Sequence, residues 1–117
     1  MRAVVIGGSN GVGLAITLNL IKRGYYVHIL DRQRPDSGII QDEHFSYHFC
    51  DLADFDEDLF RSFANDHNIS LLMITAGIGR VSDFEYVHIA EIKKIMTVNA
   101  TSTIQILQIF YDRIRGE

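Results

Sequence analysis

One short run near the start, Gly7-Gly8-Ser9-Asn10-Gly11-Val12-Gly13, constrains this chain more than any other feature. It follows an apolar, β-branched stretch from Arg2 to Ile6. It precedes Leu14, Ala15, Leu18 and Ile21, which recur at helical spacing. A strand must therefore turn into a helix within a few residues. Only residues without Cβ let backbone pass that close to a ligand or to the next element. The helix so opened offers N–H groups with no partner inside the helix, and the positive end of its dipole. A pyrophosphate belongs there. The helix closes at Lys22-Arg23-Gly24, with cations in its last turn and a glycine just beyond.

A second strand, Tyr26 to Leu30, stops at Asp31. A carboxylate at the tip of that strand can accept both hydroxyls of an adenosine ribose, in charge-assisted bonds of about 1.5–3 kcal/mol each. It repels a 2′-phosphate, so NAD is expected rather than NADP. Arg32 and Arg34 pull the other way, because an arginine just after the strand can pair with that phosphate. The candidate cofactor-binding residues of this half are Gly7, Ser9, Asn10, Gly11, Val12, Gly13, Asp31 and Arg32. A P-loop would need Lys-Ser/Thr after its last glycine, whereas Gly13 is followed by Leu14-Ala15. A methyltransferase spaces its glycines differently and binds no pyrophosphate.

Further on, Phe45 to Phe49 reads as a third strand and Asp56 to His67 as a helix with an acidic first turn. Ser70 to Thr75 is a fourth strand, nearly all apolar, as befits a parallel strand covered on both faces. After a loop holding Ala76-Gly77-Ile78-Gly79, Ile89 to Ile114 reads as one long helix, roughly 40 Å at 1.5 Å per residue. Ile92, Ile95, Met96, Ile106, Leu107 and Phe110 are expected to line one face. Val98, Ile104 and Ile109 imply a second buried face. The element order predicts an α/β fold: a Rossmann-like, doubly wound, mostly parallel sheet in strand order 3-2-1-4, ending before a fifth strand.

With 117 residues the chain is expected to form a single domain. A net charge of -4 with scattered basic residues excludes a nucleic-acid partner, which needs a concentrated basic face. No apolar run is long enough for a membrane span, and the single cysteine, Cys50, agrees with a reducing, cytoplasmic setting. His44, His48 and Cys50 alternate along the third strand but spread over roughly 20 Å, too far for one metal ion. The stripe Phe45, Tyr47, Phe49 is expected in the core. His28, His67 and His88 carry no distinguishing context.

These residues together resemble the short-chain dehydrogenases/reductases, in their classical branch. Val5-Ile6-Gly7 through Gly13 is similar to that family's Thr-Gly-x-x-x-Gly-x-Gly turn, with Ile6 where threonine is usual. The extended branch places its second glycine one residue earlier, where this chain has Asn10. Asp51-Leu52 resembles the family's Asp-Val/Leu pair, which implies contacts from side chain and backbone to the adenine. Ile74-Thr75-Ala76-Gly77 resembles Asn-Asn-Ala-Gly, which implies that Thr75, Ala76 and Gly77 pass under the nicotinamide ribose. Both asparagines are absent. Val98-Asn99-Ala100 resembles the Val-Asn-Leu/Val of the long helix. The resemblance makes Asn99 the first member of an Asn-Ser-Tyr-Lys catalytic set, perturbing its helix and holding a water for proton relay.

The family's serine and Tyr-x-x-x-Lys come later than these motifs, and no Tyr-x-x-x-Lys occurs here. Tyr111 has Arg115 four residues on, but arginine stays protonated and the surrounding helix is the wrong one. The resemblance therefore implies the NAD(P)-binding N-terminal portion of an alcohol/ketone oxidoreductase, inactive alone. Self-association is expected through the long helix or the exposed edge of the fourth strand. A rival reading is a non-catalytic dinucleotide-binding sensor or subunit module.

Overall fold

A computed structural model describes residues 1–36, 38, 42–77 and 88–116. Four strands, β1 (Arg2–Ile6), β2 (Tyr26–Asp31), β3 (Phe45–Phe49) and β4 (Ile69–Ile74), form one parallel sheet in the order β3-β2-β1-β4. β1 is central because it is apolar on both faces: Ala3 and Val5 look one way, Val4 and Ile6 the other, and all are buried. Helix α1 (Gly11–Lys22) covers the first face, over Val27, Ile29 and Phe45. Helix α2 (Glu57–Ala64) and the C-terminal helices cover the second, over Val4, Ile6 and Leu30.

Each crossover starts and stops for a local reason. α1 ends where Gly24 takes φ +91°, and the N–H groups of Gly24 and Tyr25 turn back to the carbonyls of Ile21 and Leu20. Asp56 is held extended and caps α2 by accepting from the Leu59 N–H, so the helix begins one residue later than the composition implied. It ends at Ala64, short of the expected His67, because Asp66 accepts from the Asn68 N–H in a turn that feeds β4. β4 then runs from Ile69 to Ile74, one residue before the expected limits at each end.

Two faces differ from expectation. On α1 the buried residues are Gly13, Thr17 and Leu20, while Ala15 and Leu18 are exposed. Thr17 carries the difference: its hydroxyl donates to the Gly13 carbonyl at 2.9 Å and lies 3.4 Å from that of Gly8. The first bond stays within α1, while the second contact, to Gly8 in the turn after β1, is the one that sets this face of the helix against the turn. In the C-terminal segment, the long helix is three helices: α3 (Ile89–Met96), α4 (Ser102–Ile109) and α5 (Tyr111–Ile114). A π turn, Thr97–Thr101, separates the first two. One extra residue per turn rotates everything after it by roughly 100°. Val98, Ser102, Ile106 and Phe110 are therefore buried, whereas Met96 and Leu107 are 57% and 43% exposed. Phe49 is also exposed, at the tip of β3, so the aromatic stripe reaches the core only through Phe45 and in part Tyr47.

Arg113 ties these layers together. Its guanidinium donates to the carbonyls of Ala64, Asp66 and Ile69, closing the end of α2 and the start of β4. Among the described residues no helix is long and apolar enough to cross a membrane, and no three His, Cys, Asp or Glu side chains gather as metal ligands. His44 sits in the 3-10 turn before β3 rather than on the strand.

His28, featureless in the sequence, has a neighbour across the sheet. Its Nδ1 lies 3.3 Å from His48 Nε2, and Phe63 of α2 packs on both rings. Burial lowers both imidazoles below their ordinary pKa; the His48 and Arg2 charges lower His28 further, against a smaller upward pull from Asp66. Folded-state pKa values below the unfolded one, about 6.5, mean that the fold holds fewer protons than the open chain. Stability is full above about pH 6.5 and falls as the pH drops below it. Thermal unfolding is expected at a lower temperature near pH 5.5 than near pH 7.5. His48→Phe is expected to shrink that difference; an unchanged difference would refute the role of the pair.

Candidate functional site

A cleft of about 420 Å³ opens at the carboxyl ends of the strands, where ligands of open α/β sheets bind. Its walls are the last residues of β1 and β2, the residues after β3 and β4, and the first turn of α1. Gly7, Asn10, Gly11, Val12, Gly13, Asp31, Arg32, Asp51, Leu52, Thr75, Ala76 and Gly77 all line it, brought together from four separate stretches of chain. Ser9 does not. It is buried, and its N–H donates to Asp31 Oδ2 at 3.1 Å. Asn99 lies on the exposed side of the π turn, and its neighbour Val98 is the one that lines the cleft.

The glycines divide the work unequally. A Cβ on Gly13 would stand 1.9 Å from the Gly7 carbonyl oxygen, and one on Gly7 would stand 2.7 Å from the Ala76 nitrogen. These two glycines therefore serve the close approach of α1 and of the residues after β4 to the end of β1. Gly11 is different: it takes φ +54° with nothing within 4 Å, which turns the chain into the helix and leaves space beside it.

The first turn of α1 has the makings of an anion site. Asn10 precedes the helix in an extended conformation without a side-chain cap, and the first turn carries no acidic residue. The first N–H groups of a helix have no carbonyl within it to reach. At the neighbouring strand tip, Asp31 is half-buried and accepts from two backbone N–H groups, Ser9 at 3.1 Å and Gln33 at 3.2 Å. Each carboxylate oxygen retains a second lone pair. The Tyr47 hydroxyl donates to the Asp31 carbonyl at 3.0 Å, and burial with the Asp31 charge raises the phenol above its ordinary pKa. Arg34 lies over the Tyr47 ring, 5.4 Å from its centre.

Beyond β3, Leu30, Leu52 and Val98 make an apolar wall, with Cys50 beside it and the Asp51 carboxylate at its rim. Burial, with the charges of Asp51, Asp31 and Asp56, pushes the Cys50 thiol up to about 12, so it is a packing residue and no nucleophile. Beyond β4, the Thr75 hydroxyl donates to the Ile6 carbonyl at 2.9 Å and lies 3.2 Å from that of Gly7. It clamps β4 to β1 where the resemblance led one to look for asparagine. A Cβ on Gly77 would meet Asn99 Oδ1 at 3.2 Å, so the loop after β4 passes close over the π turn. The loop residues Ile78 and Gly79 lie outside the described residues.

Sequence reading missed Ile6, Leu30, Gln33, Cys50 and Val98 on the cleft, and Thr17 and Ser102 behind it. The last two had a signal. Each is a small polar residue whose neighbours four positions away, Gly13 and Ile21 or Val98 and Ile106, face inward. A hydroxyl on an inward stripe asks for a backbone partner.

Such a cleft suits a dinucleotide: an uncapped helix start for the diphosphate, a carboxylate for a sugar, and an apolar slot with a carboxylate rim for a flat base. Comparison with known proteins agrees. Residues 1–117 match the family described as short chain dehydrogenase. The probable short-chain type dehydrogenase/reductase VdlC of Helicobacter pylori is 27% identical over 115 residues, a stretch covering 92% of this chain and 41% of that protein. A solved structure of a putative NAD(P) dependent gluconate 5-dehydrogenase from Beutenbergia cavernae, with bound NADP, has a TM-score of 0.84 at 23% identity, covering 97% of this chain and 48% of its own. For a 3-oxoacyl-(acyl-carrier protein) reductase from Brucella melitensis in complex with NAD, the TM-score is 0.77 at 26% identity, covering 98% and 49%. The chain thus spans less than half the length of each of these relatives. It belongs to the short-chain dehydrogenase family.

Proposed function

We propose that residues 1–117 form one dinucleotide-binding unit, the N-terminal portion of a short-chain oxidoreductase, and hold NAD across the carboxyl ends of the sheet. The observation that carries this reading is the pairing, in one cleft, of the uncapped α1 start with the Asp31 carboxylate. The N–H groups of Gly11, Val12 and Gly13 receive the diphosphate. Asp31 accepts the adenosine ribose hydroxyls through the lone pairs that Ser9 and Gln33 leave. The adenine lies against Leu52 and Val98, with Asp51 accepting from its amino group. Thr75, Ala76 and Gly77 carry the nicotinamide ribose.

A bound nicotinamide supplies the hydride acceptor or donor for an alcohol/ketone pair. The chain's own residues then orient it: the Thr75 clamp fixes the loop beneath the sugar, and Asn99, against Gly77, positions a water for proton relay. The Tyr-x-x-x-Lys pair that would serve as acid/base at the substrate oxygen does not occur in the sequence. Tyr111 is exposed, with the Arg115 guanidinium over its own ring, at the far end of the C-terminal helices from the cleft-lining Val98. Self-association through the exposed Ile104, Leu107 and Tyr111, or through the edge of β4 that no other described strand pairs, completes the reading. A cytoplasmic setting suits the single reduced cysteine.

Two outcomes are expected. Calorimetric titration of the chain gives tighter binding of NAD than of NADP, and Asp31→Asn weakens NAD about tenfold while narrowing the gap. Tighter NADP binding by the unaltered chain would contradict the cofactor preference, for which Arg34 on Tyr47 and the acidic rim are the physical grounds. With alcohols or ketones the same chain shows no turnover, since loss of general acid/base catalysis alone costs about 10² to 10⁴ in rate. Measurable NADH production would overturn that assignment.

A further inference from the structure

The loop after β3 is held from behind by a residue that no motif marks. Ser102 is fully buried, and its hydroxyl donates to the Leu52 carbonyl at 2.9 Å. On the other side of the same peptide unit, the Ala53 N–H donates to Asp51 Oδ1 at 2.9 Å. A peptide is planar, so fixing its carbonyl fixes its N–H as well. The carboxylate that this N–H holds is then fixed too. The two groups that flank the apolar slot, Leu52 and Asp51, thus take their orientation from one hydroxyl on α4.

We infer that Ser102 is a positioning residue for the adenine end of the cleft, acting through the Leu52–Ala53 peptide on the Asp51 carboxylate. This rests on the reading that the cleft holds an adenine dinucleotide, and it adds a residue to which that reading gives no part. Ser102 follows the π turn directly, and that turn meets the loop after β4 through Asn99. One stretch of helix therefore adjoins both arms of the cleft: it holds the loop after β3 through Ser102 and lies close to the loop after β4 at Asn99. Ser102 touches the first arm only, so its removal disturbs the two arms unequally.

The test compares ADP, which engages the adenine end, with nicotinamide mononucleotide, which engages the other, in NMR titrations of the chain. Ser102→Ala is expected to weaken ADP about five- to tenfold and to leave nicotinamide mononucleotide within about twofold. Ser102→Cys, which keeps a weak donor in a similar volume, is expected to fall between. It carries the comparison if the alanine variant does not fold. In an Asp51→Ala background, Ser102→Ala is expected to cost ADP less than it does in the unaltered chain, because the carboxylate it acts through is gone. Equal losses for the two ligands, or fully additive losses in the double variant, would overturn the positioning role. Failure of the unaltered chain to bind either ligand would instead bring down the cofactor reading on which the role rests.

Discussion

The approach of Gly13 to the Gly7 carbonyl governs the rest of this molecule. No side chain fits between them: a Cβ would stand 1.9 Å from the oxygen. Because that space is empty, α1 starts directly over the end of β1 and its first turn lines the cleft. The same economy at Gly7 lets the residues after β4 cross at Ala76, with Thr75 bonded to the Ile6 carbonyl. The Gly7 N–H, in turn, donates to the Leu30 carbonyl at 2.7 Å, so β2 delivers Asp31 beside the turn. Three neighbouring strands are thus tied to one bend.

Asp31 has two duties in this arrangement. It closes the glycine turn by accepting the Ser9 N–H, and it offers its remaining lone pairs to the cleft. A carboxylate already oriented by two backbone donors needs little reorganisation to receive a ligand, which is where preorganised sites gain affinity. The adenine end is built in the same way: Asp51 is held by the Ala53 N–H, and the peptide behind it by Ser102. Backbone hydrogen bonds, spent inside the loops, set the aim of both acids.

The sheet was legible in the sequence because parallel strands packed on both faces are short apolar runs, as in the buried Ala3 to Ile6 and the half-buried Leu71 to Ile74. The glycine turn and Asp31 were legible because each residue type has a steric or charge reason to stand where it does. The inward face of the C-terminal helix was legible only in part: Val98, Ile106 and Phe110 are buried as expected, whereas Met96, Ile104 and Leu107 are exposed. A π turn leaves no compositional mark, and the helix that follows it turns Ser102, Ile106 and Phe110 inward while Leu107 and Ile104 face out. Ser9 was grouped with the cleft because it sits among the glycines, yet the turn points it into the protein, where Asp31 takes its N–H. The His28–His48 contact crosses from β2 to β3, and pairing between strands is set by register, which single residues do not reveal.

The central claim is that the start of α1 and the tip of β2 grip the two parts of one adenine dinucleotide. Amide chemical shifts followed during titration with NAD test it most directly. The account predicts saturable changes concentrated at Gly11, Val12 and Gly13, together with Gln33 and Ala53, and little change at Arg113 on the far side. A titration that leaves the amides of Gly11 to Gly13 unmoved while others shift would contradict it.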